Sequence, residues 1–323
     1  MELKHIYAPV DADLDDVQNT LKGIRKVRYA WLAEQLAHVV RGTGKIIRPA
    51  LTLLAGKTFP TFADHREFLL PMAVSVELMH TATLVHDDAI DKAATRRGQP
   101  TMNSIWGDEI AILMGDYLFA KAGEYVADTQ SPRAIKLFSQ TLGIISSGEI
   151  GQFRGAYNAD QTREDYYHRI YSKTGSLFSL STQTGALLAG ADEPAIAIMK
   201  DYGDNLGIAF QIVDDILDFT STPEVLGKPV GSDLRQGTLT LPAMLVLERR
   251  PDDNPVRNYF DTRDDRFTRE TIDLVLNSDI IEVAYTTATA FRDRACRDLK
   301  ALPDTVCRRS LEDLGEYIIN QGR

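Results

Sequence analysis

Two short acidic clusters could do chemistry in this chain, and the first lies in the stretch TLVHDDAIDKAATRRGQP. A helix places residues i and i+4 one turn apart on a common face, so Asp87 and Asp91 are expected to lie together with Asp88 beside them. Carboxylates at this spacing repel each other unless a divalent cation lies among their oxygens. When only one or two residues supply ligands to each ion, the arrangement indicates Mg²⁺ that is bound together with phosphate. A single cluster is also typical of a solvated acidic helix end.

The second cluster repeats the same spacing in FQIVDDILDF, where Asp214, Asp215 and Asp218 lie on another predicted helix. The residues around these aspartates are apolar, which predicts carboxylates that face an enclosed cavity. Buried carboxylates need cations nearby. Two DDxxD motifs on separate apolar helices therefore favour a diphosphate clamped through several Mg²⁺ ions between opposing acidic faces over two solvated helix ends.

Basic side chains near these motifs could bind the phosphate groups. Arg96 and Arg97 follow the first motif in RRGQPT, where the glycine and proline are expected to end the helix and leave the guanidinium groups available for forked phosphate contacts. Lys173 and Lys228 lie in the segments SKTG and LGKPVGSD, whose glycines interrupt helical regularity. Such interruptions are expected where backbone approaches a ligand.

A further basic segment, GTGKIIRP, offers Lys45 and Arg48. It is not a Walker A loop, because Val39 replaces the first glycine and Ile46 replaces the serine or threonine of that motif. His80 lies seven residues before the first aspartate, which places it two helical turns away on roughly the same face. Lys45 and Arg48 thus add to the basic groups near the motifs, and His80 is aligned with the first aspartate cluster.

Composition and periodicity indicate the fold class. The chain has 323 residues and 44% hydrophobic content, which is enough for a sizeable core. Apolar residues recur three and four positions apart in nearly every long segment, and strand-like alternation is scarce. We therefore expect an all-α protein that forms a single domain, residues 1–323, as a multi-helix bundle.

The helices are expected at 13–41, 45–58, 64–91, 103–127, 131–155, 163–190, 194–219, 238–249, 267–276, 279–300 and 309–320. The charged stretch from Arg249 to Arg269 is interpreted as a solvated surface loop.

Charge and targeting signals narrow the partners and the compartment. A net charge of −10 disfavours nonspecific binding to nucleic acid or to anionic lipid, although a local basic pocket could still bind a small anion. Cys296 and Cys307 show no metal or redox spacing and are expected to be reduced cytosolic thiols. The N-terminal segment is too acidic for a signal peptide. The charge-free run 174–191 is rich in Ser, Thr and Gly and is expected to be a buried helix, so we expect a cytoplasmic protein without an integral membrane segment.

In order and spacing, these motifs resemble those of the trans-isoprenyl diphosphate synthase (polyprenyl synthetase) family. The resemblance runs from about Lys45 to Pro242 and rests on the segments GKIIRP, ELMHTATLVHDDAID, RRGQPT, YSKTGSLF, FQIVDDILDF and GKPVGSDLRQGTLTLP. It implies a helical bundle of the isoprenoid synthase type around a deep central cavity, normally as a homodimer. It also implies head-to-tail (1'-4) condensation of isopentenyl diphosphate with an allylic diphosphate through an allylic cation.

The resemblance assigns roles to individual residues. About three Mg²⁺ ions per active site would bind the allylic diphosphate through Asp87, Asp88, Asp91, Asp214 and Asp218, with Asp215 as an outer or water-mediated partner. The same diphosphate would contact Arg96, Lys173, Gln211 and Lys228. The diphosphate of isopentenyl diphosphate would contact Lys45, Arg48, His80 and Arg97. Thr174 and Gln211 would place dipoles near the allylic cation.

Product length can be approached from helix geometry. An isoprene unit of about 5 Å is close to the roughly 5.4 Å pitch of a helical turn, so product length maps onto turns of the helix before Asp87. Short-chain members of the family carry aromatic rings at the positions that here hold Thr83 and Ala82, and Met79 continues the open side one turn further. Phe138 on another helix is a candidate for the residue that closes the end of the product cavity, with Tyr117 and Phe119 as further candidates. We expect a medium or long polyprenyl product.

Three other functions stay open at this point. A geranylgeranyl diphosphate synthase would share every motif and differ only in product length. A class I terpene cyclase typically has a second metal motif that mixes Asn, Ser or Thr with Glu, which DDILD is not, and a cyclase needs no second anion site. A noncatalytic partner subunit usually lacks one or both acidic motifs, and both are present here.

Overall fold

The computed structural model describes residues 2–41, 44–96, 98–222 and 229–322. Segments with apolar residues at helical spacing form helices throughout these ranges. The structure is 80% helical with almost no strand, which confirms the prediction of an all-α fold. The first helices are α1 (Leu3–Tyr7), α2 (Asp11–Gly23), α3 (Ala30–Arg41), α4 (Ile47–Lys57), α5 (Phe62–Ile90), α6 (Met102–Trp106), α7 (Asp108–Asp128), α8 (Pro132–Gly155) and α9 (Arg163–Ile170). The later helices are α10 (Ser176–Leu188), α11 (Glu193–Thr220), α12 (Ser232–Arg235), α13 (Leu241–Arg249), α14 (Pro255–Thr262), α15 (Asp265–Leu276), α16 (Ile280–Arg297) and α17 (Val306–Ile319). Strands β1 (Thr95–Arg96) and β2 (Gln99–Pro100) form a short antiparallel hairpin.

Two predicted helices each break at a glycine. The helix predicted at 13–41 breaks after Gly23, where a glycine is followed by the β-branched residues Ile24 and Val27, all poor helix formers. The helix predicted at 103–127 breaks at Gly107, whose φ of 91° is a conformation that glycine adopts readily and other residues rarely do. Local backbone preference outweighs the apolar periodicity at both points.

The loop predicted from Arg249 to Arg269 is wrong, because this stretch contains α14 and the start of α15. The side-chain oxygen of Asn254 accepts hydrogen bonds from the N–H groups of Val256 at 2.9 Å and Arg257 at 3.4 Å, and Pro255 occupies the first helical position. Val256 and Phe260 are buried. The cap and proline are a helix-start signal that the charge of the segment obscures.

The chain divides into two compact units, each assembled from separate stretches of sequence. The first unit comprises Met1–Leu142, Leu177–Gly203 and Asp298–Asp313, and the second comprises Gly143–Ser176, Asp204–Arg297 and Leu314–Arg323. The single domain expected from the sequence stays a prediction.

In the first unit, helix α5 packs against α4 and α7. Its residues from Met72 to Met79 are all buried, including Ser75, whose hydroxyl donates to the carbonyl of Ala122 on α7 at 2.8 Å. By length and composition alone α5 could cross a membrane, but 61% of its apolar stretch is buried in the protein. Burial of this kind is typical of the core helix of a soluble protein.

The second unit has a core that surrounds the buried side of α11. Ile212, Ile216 and Phe219 of α11 pack in one cluster with Tyr166 of α9 and with residues of α13 to α16. The cluster holds one face of α11 in the core, and this face also carries the two buried aspartates described below.

Candidate active site

The first DDxxD motif lies at the C-terminal end of α5. The helix ends at Ile90, one residue earlier than predicted, so Asp91 is the C-cap residue. Its backbone stays helical at φ −79° and ψ −4°, and its N–H donates to the carbonyl of Asp87 at 2.8 Å. Asp87 is half-buried, Asp88 is buried and Asp91 is exposed. The three carboxylates therefore keep helical spacing but differ in their access to solvent.

Arg96 pairs with the buried aspartate of this motif. The β1–β2 hairpin brings the Nε of Arg96 to 2.8 and 3.0 Å from the two carboxylate oxygens of Asp88, which is 6% exposed. Burial raises the pKa of Asp88, and the charge and hydrogen bond of Arg96 oppose that shift. The sequence predicts a phosphate contact for Arg96, and that role stays a prediction. Arg97 lies outside the described residues.

His86, which sequence reasoning missed, locks the end of α5 against α7. Its Nε2 lies 2.9 Å from the carbonyl oxygen of Ile112, and its ring meets the edge of Phe119 at 5.5 Å between centroids. The ring fits because residue 115 is glycine: a Cβ atom there would lie 2.1 Å from Nε2 of His86. This contact fixes the turn of α5 that carries Asp87.

Lys45, Arg48 and His80 all belong to the first unit. Lys45 is exposed, and its carbonyl accepts a hydrogen bond from the Tyr7 hydroxyl at 3.1 Å. Arg48 is half-buried at the start of α4, with its guanidinium carbon 5.2 Å from the ring centre of Phe178. His80 is half-buried on α5. Arg48 and His80 are thus held by packed helices, and the anion site predicted for these three residues stays a prediction.

The second DDxxD motif lies near the C-terminal end of α11. Asp214 is exposed, whereas Asp215 and Asp218 are only 3% and 1% exposed. Enclosure of all three carboxylates, as the apolar flanks predict, is therefore wrong for Asp214. One oxygen of Asp218 accepts the N–H of Asp233 at 3.2 Å. The motif therefore presents one carboxylate to solvent and holds two within the protein.

Asp215 is the centre of a buried hydrogen-bond chain. Its Oδ2 accepts the Tyr166 hydroxyl at 2.8 Å, and its Oδ1 accepts the amide of Gln211 at 3.0 Å. The other end of that amide accepts the Thr174 hydroxyl at 2.6 Å. Burial, helped by the nearby charge of Asp233, raises the pKa of Asp215 to about 7, although the hydrogen bonds oppose the shift. The chain fixes the orientation of the Gln211 side chain.

Lys173 lies in a π-helical turn, Tyr171–Gly175, which separates α9 from α10. The helix predicted at 163–190 is thus interrupted where the glycine-containing segment occurs. Such turns are frequent at functional sites, because they redirect side chains within a helix. The ammonium of Lys173 lies 2.9 Å from a carboxylate oxygen of Glu149, a partner that the sequence does not reveal. Lys228 lies outside the described residues.

The proposed chain-length residues differ in burial. Ala82, Met79 and Phe138 are buried, whereas Thr83 is half-buried and donates its hydroxyl to the carbonyl of His80 at 2.7 Å. Of these four residues, Thr83 is therefore the one whose side chain is partly exposed to solvent.

The comparison with known proteins decides the family. Residues 29–274 match the sequence profile of the family described as polyprenyl synthetase. The chain belongs to the polyprenyl synthetase family.

Relatives resemble this member over nearly their whole length. The chain is 39% identical over 319 residues to heptaprenyl diphosphate synthase component 2 of Geobacillus stearothermophilus, covering 98% of each chain. The heptaprenyl diphosphate synthase structure of Staphylococcus aureus has a TM-score of 0.91 at 31% identity, with 97% of this chain and 99% of that one covered. The decaprenyl diphosphate synthase structure of Rhodobacter capsulatus has a TM-score of 0.90 at 31% identity, with both chains fully covered at 100%. The predictions of family, fold and prenyltransferase activity are confirmed.

The ligand chemistry of this polyprenyl synthetase suits a hard cation. Within the described residues, no three His, Cys, Asp or Glu side chains lie close enough to form a metal site by themselves. The accessible members of the motifs, Asp87, Asp91 and Asp214, offer carboxylate oxygens, which Mg²⁺ prefers. Few protein ligands per ion fit a magnesium that takes its remaining oxygens from a diphosphate and water.

Proposed function

We propose that this polyprenyl synthetase condenses isopentenyl diphosphate head to tail with an allylic diphosphate and releases a medium or long polyprenyl diphosphate. The observation that carries the proposal is the repeated DDxxD motif, in which each copy keeps an accessible carboxylate near the C-terminal end of a helix. The heptaprenyl and decaprenyl names of the relatives support a product longer than geranylgeranyl diphosphate.

The reaction needs charge stabilisation more than it needs a protein base. Breaking the allylic C–O bond leaves an allylic cation and a diphosphate anion, and preorganised cations lower the cost of the anion. Magnesium, about three ions held by the aspartates, supplies that positive charge when bound. Lys173 contacts the same diphosphate, and the oriented dipoles of Thr174 and Gln211 lie near the cation. The isopentenyl double bond attacks the cation, and the departing diphosphate accepts the proton that is lost.

We propose the homodimer that the family resemblance implies. Ile112 and Leu113 expose adjacent apolar side chains on α7, which is typical of a subunit contact. The relatives from G. stearothermophilus and Bacillus subtilis are named component 2, which favours a second candidate, a catalytic chain that works with a different partner chain. Light scattering of the purified chain distinguishes the two, because a monomer would contradict the homodimer.

The test of the activity is Mg²⁺-dependent incorporation of labelled isopentenyl diphosphate with each allylic primer in turn. Asp87→Asn and Asp214→Asn are each expected to lower kcat by about 100-fold or more, because each removes a charged oxygen from an accessible ligand. Asp273→Asn, which changes an exposed aspartate of α15, is the matched control and should keep full activity. Equal activity in all three variants would contradict the proposed role of the motifs.

A further inference from the structure

A basic and aromatic surface lies where α2 is joined to α3. We define the basic-aromatic surface by six exposed side chains, Lys22, Arg25, Lys26, Arg28, Tyr29 and Trp31. Residues 24–29 form the connection between the two helices, and the buried side chain of Ile24 attaches this connection to the rest of the protein. The six side chains are therefore presented on a short connection between two helices of the first unit.

The charge of this surface is opposite to that of the protein as a whole. Residues 17–33 contain four basic residues and no acidic one, in a chain of net charge −10. None of the ion pairs within the part of the chain that the structure describes involves Lys22, Arg25, Lys26 or Arg28. The four cations thus keep their charge available to an external anionic partner.

The aromatic part of the surface is a stacked pair. Tyr29 is 54% exposed and Trp31 is 60% exposed, and their ring centroids lie 5.7 Å apart at an interplanar angle of 23°. The guanidinium of Arg28 lies 5.9 Å from the ring centre of Tyr29. Tyr and Trp have large rings with polar edges, and they prefer the boundary between water and the lipid headgroups. Here both rings lie next to cations.

We infer that the basic-aromatic surface docks this protein on an anionic lipid bilayer. Lys and Arg are attracted to the negative surface of such a bilayer, and clusters of four to eight basic residues are typical of sites that bind anionic lipid. The two rings would enter the headgroup region, which a surface made only of cations would not do. The net charge alone predicts no lipid binding, but it averages over the whole molecule and conceals this local cluster.

The inference is separate from the proposed function. The four cations precede residue 29, where the match to the polyprenyl synthetase profile begins, so the family assignment neither includes nor requires them. If the proposed function is also correct, the surface would hold the enzyme next to the phase in which an apolar polyprenyl chain is soluble.

The test is flotation of the purified full chain with vesicles of phosphatidylcholine, alone or mixed with phosphatidylserine. Binding is expected only with phosphatidylserine and should weaken with added salt, because the attraction is screened. The Arg25→Glu/Lys26→Glu variant should bind at least about 20-fold more weakly, since each cation near the surface contributes about a 5-fold effect. The Arg297→Glu/Lys300→Glu variant makes the same change in net charge at exposed positions and should bind like the wild type.

A second readout reports on the rings themselves. The chain contains two tryptophans, so Trp106→Phe leaves Trp31 as the one that fluoresces. Its emission is expected to shift to the blue with phosphatidylserine vesicles and to stay unchanged with phosphatidylcholine. Three results would each overturn the inference: no binding by the wild type, equal weakening in the control variant, or binding to a single-stranded oligonucleotide in place of vesicles. Far-UV circular dichroism confirms that each variant is folded.

Discussion

Replacing Asp215 by asparagine should remove a pH-dependent loss of stability from the metal-free protein. The carboxyl group has a pKa of about 7 in the folded chain against 3.8 for the unperturbed group. Between those values the folded state keeps a proton that the unfolded state releases, so the free energy of unfolding falls as pH rises. A difference of about three pKa units corresponds to about 4 kcal/mol at roughly 1.4 kcal/mol per unit.

Asparagine has nearly the same shape and no charge to bury. Its amide can still join the chain: the oxygen accepts from Tyr166, and a flip of the Gln211 amide restores the other two hydrogen bonds with reversed polarity. The variant is therefore expected to be within about 1 kcal/mol of the wild type near pH 4.5 and more stable by a few kcal/mol at pH 8.

The assay is denaturant unfolding from pH 4.5 to 8 with a chelator present, because bound metal would itself lower the pKa. The wild-type free energy of unfolding is subtracted from that of the variant at each pH, which cancels the other titrating groups. The difference should rise with pH up to about pH 7 and then level off. A difference that stays flat, or that falls with pH, would refute the reasoning, since it would mean that the fold stabilises the ionised carboxylate.

Three further substitutions test the geometry. Thr83→Phe should shorten the products, because a ring replaces a half-buried hydroxyl, whereas Thr286→Phe at an exposed helical threonine should not. Unchanged products from Thr83→Phe would contradict the prediction that the turns of α5 before Asp87 set product length. Gly115→Ala should lower the free energy of unfolding by about 2 kcal/mol or more, because the new methyl group collides with the imidazole of His86. Gly123→Ala on the same helix has open space around it and should be neutral or stabilising. Equal effects of the two substitutions would contradict the contact between Gly115 and His86. Asn254→Ala should cost about 2 kcal/mol in chemical denaturation, because it removes a helix cap and two side-chain donors, and a loss below about 0.5 kcal/mol would show that the cap is dispensable.

The features that the sequence reveals are those set by near neighbours in the chain. Helix geometry alone places Asp87 and Asp91 on a common face with Asp88 beside them. It arranges Asp214, Asp215 and Asp218 in the same way. Helical periodicity gives the fold class for the same reason, because i to i+4 contacts are local. Helix ends at Gly23 and Gly107 depend on single residues that a periodic pattern passes over.

The features that the sequence conceals depend on partners far away in the chain. Tyr166 reaches Asp215 across 49 positions, and Glu149 reaches Lys173 across 24. No local pattern connects such pairs, so neither the buried hydrogen-bond chain nor the partner of Lys173 could be inferred. The sequence conceals helix α14 for a different reason: its buried residues Val256, Tyr259 and Phe260 have helical spacing, but they lie among charged residues that suggest a loop.

The most direct test of the central claim is the length of the product. The purified chain is incubated with Mg²⁺, labelled isopentenyl diphosphate and, separately, dimethylallyl, geranyl, farnesyl and geranylgeranyl diphosphates, and the dephosphorylated products are separated by length. Products that extend past geranylgeranyl are predicted, because no Phe, Tyr or Trp lies on α5 between Leu70 and Asp87. A clean stop at geranylgeranyl, or no elongation of any primer, would contradict the account.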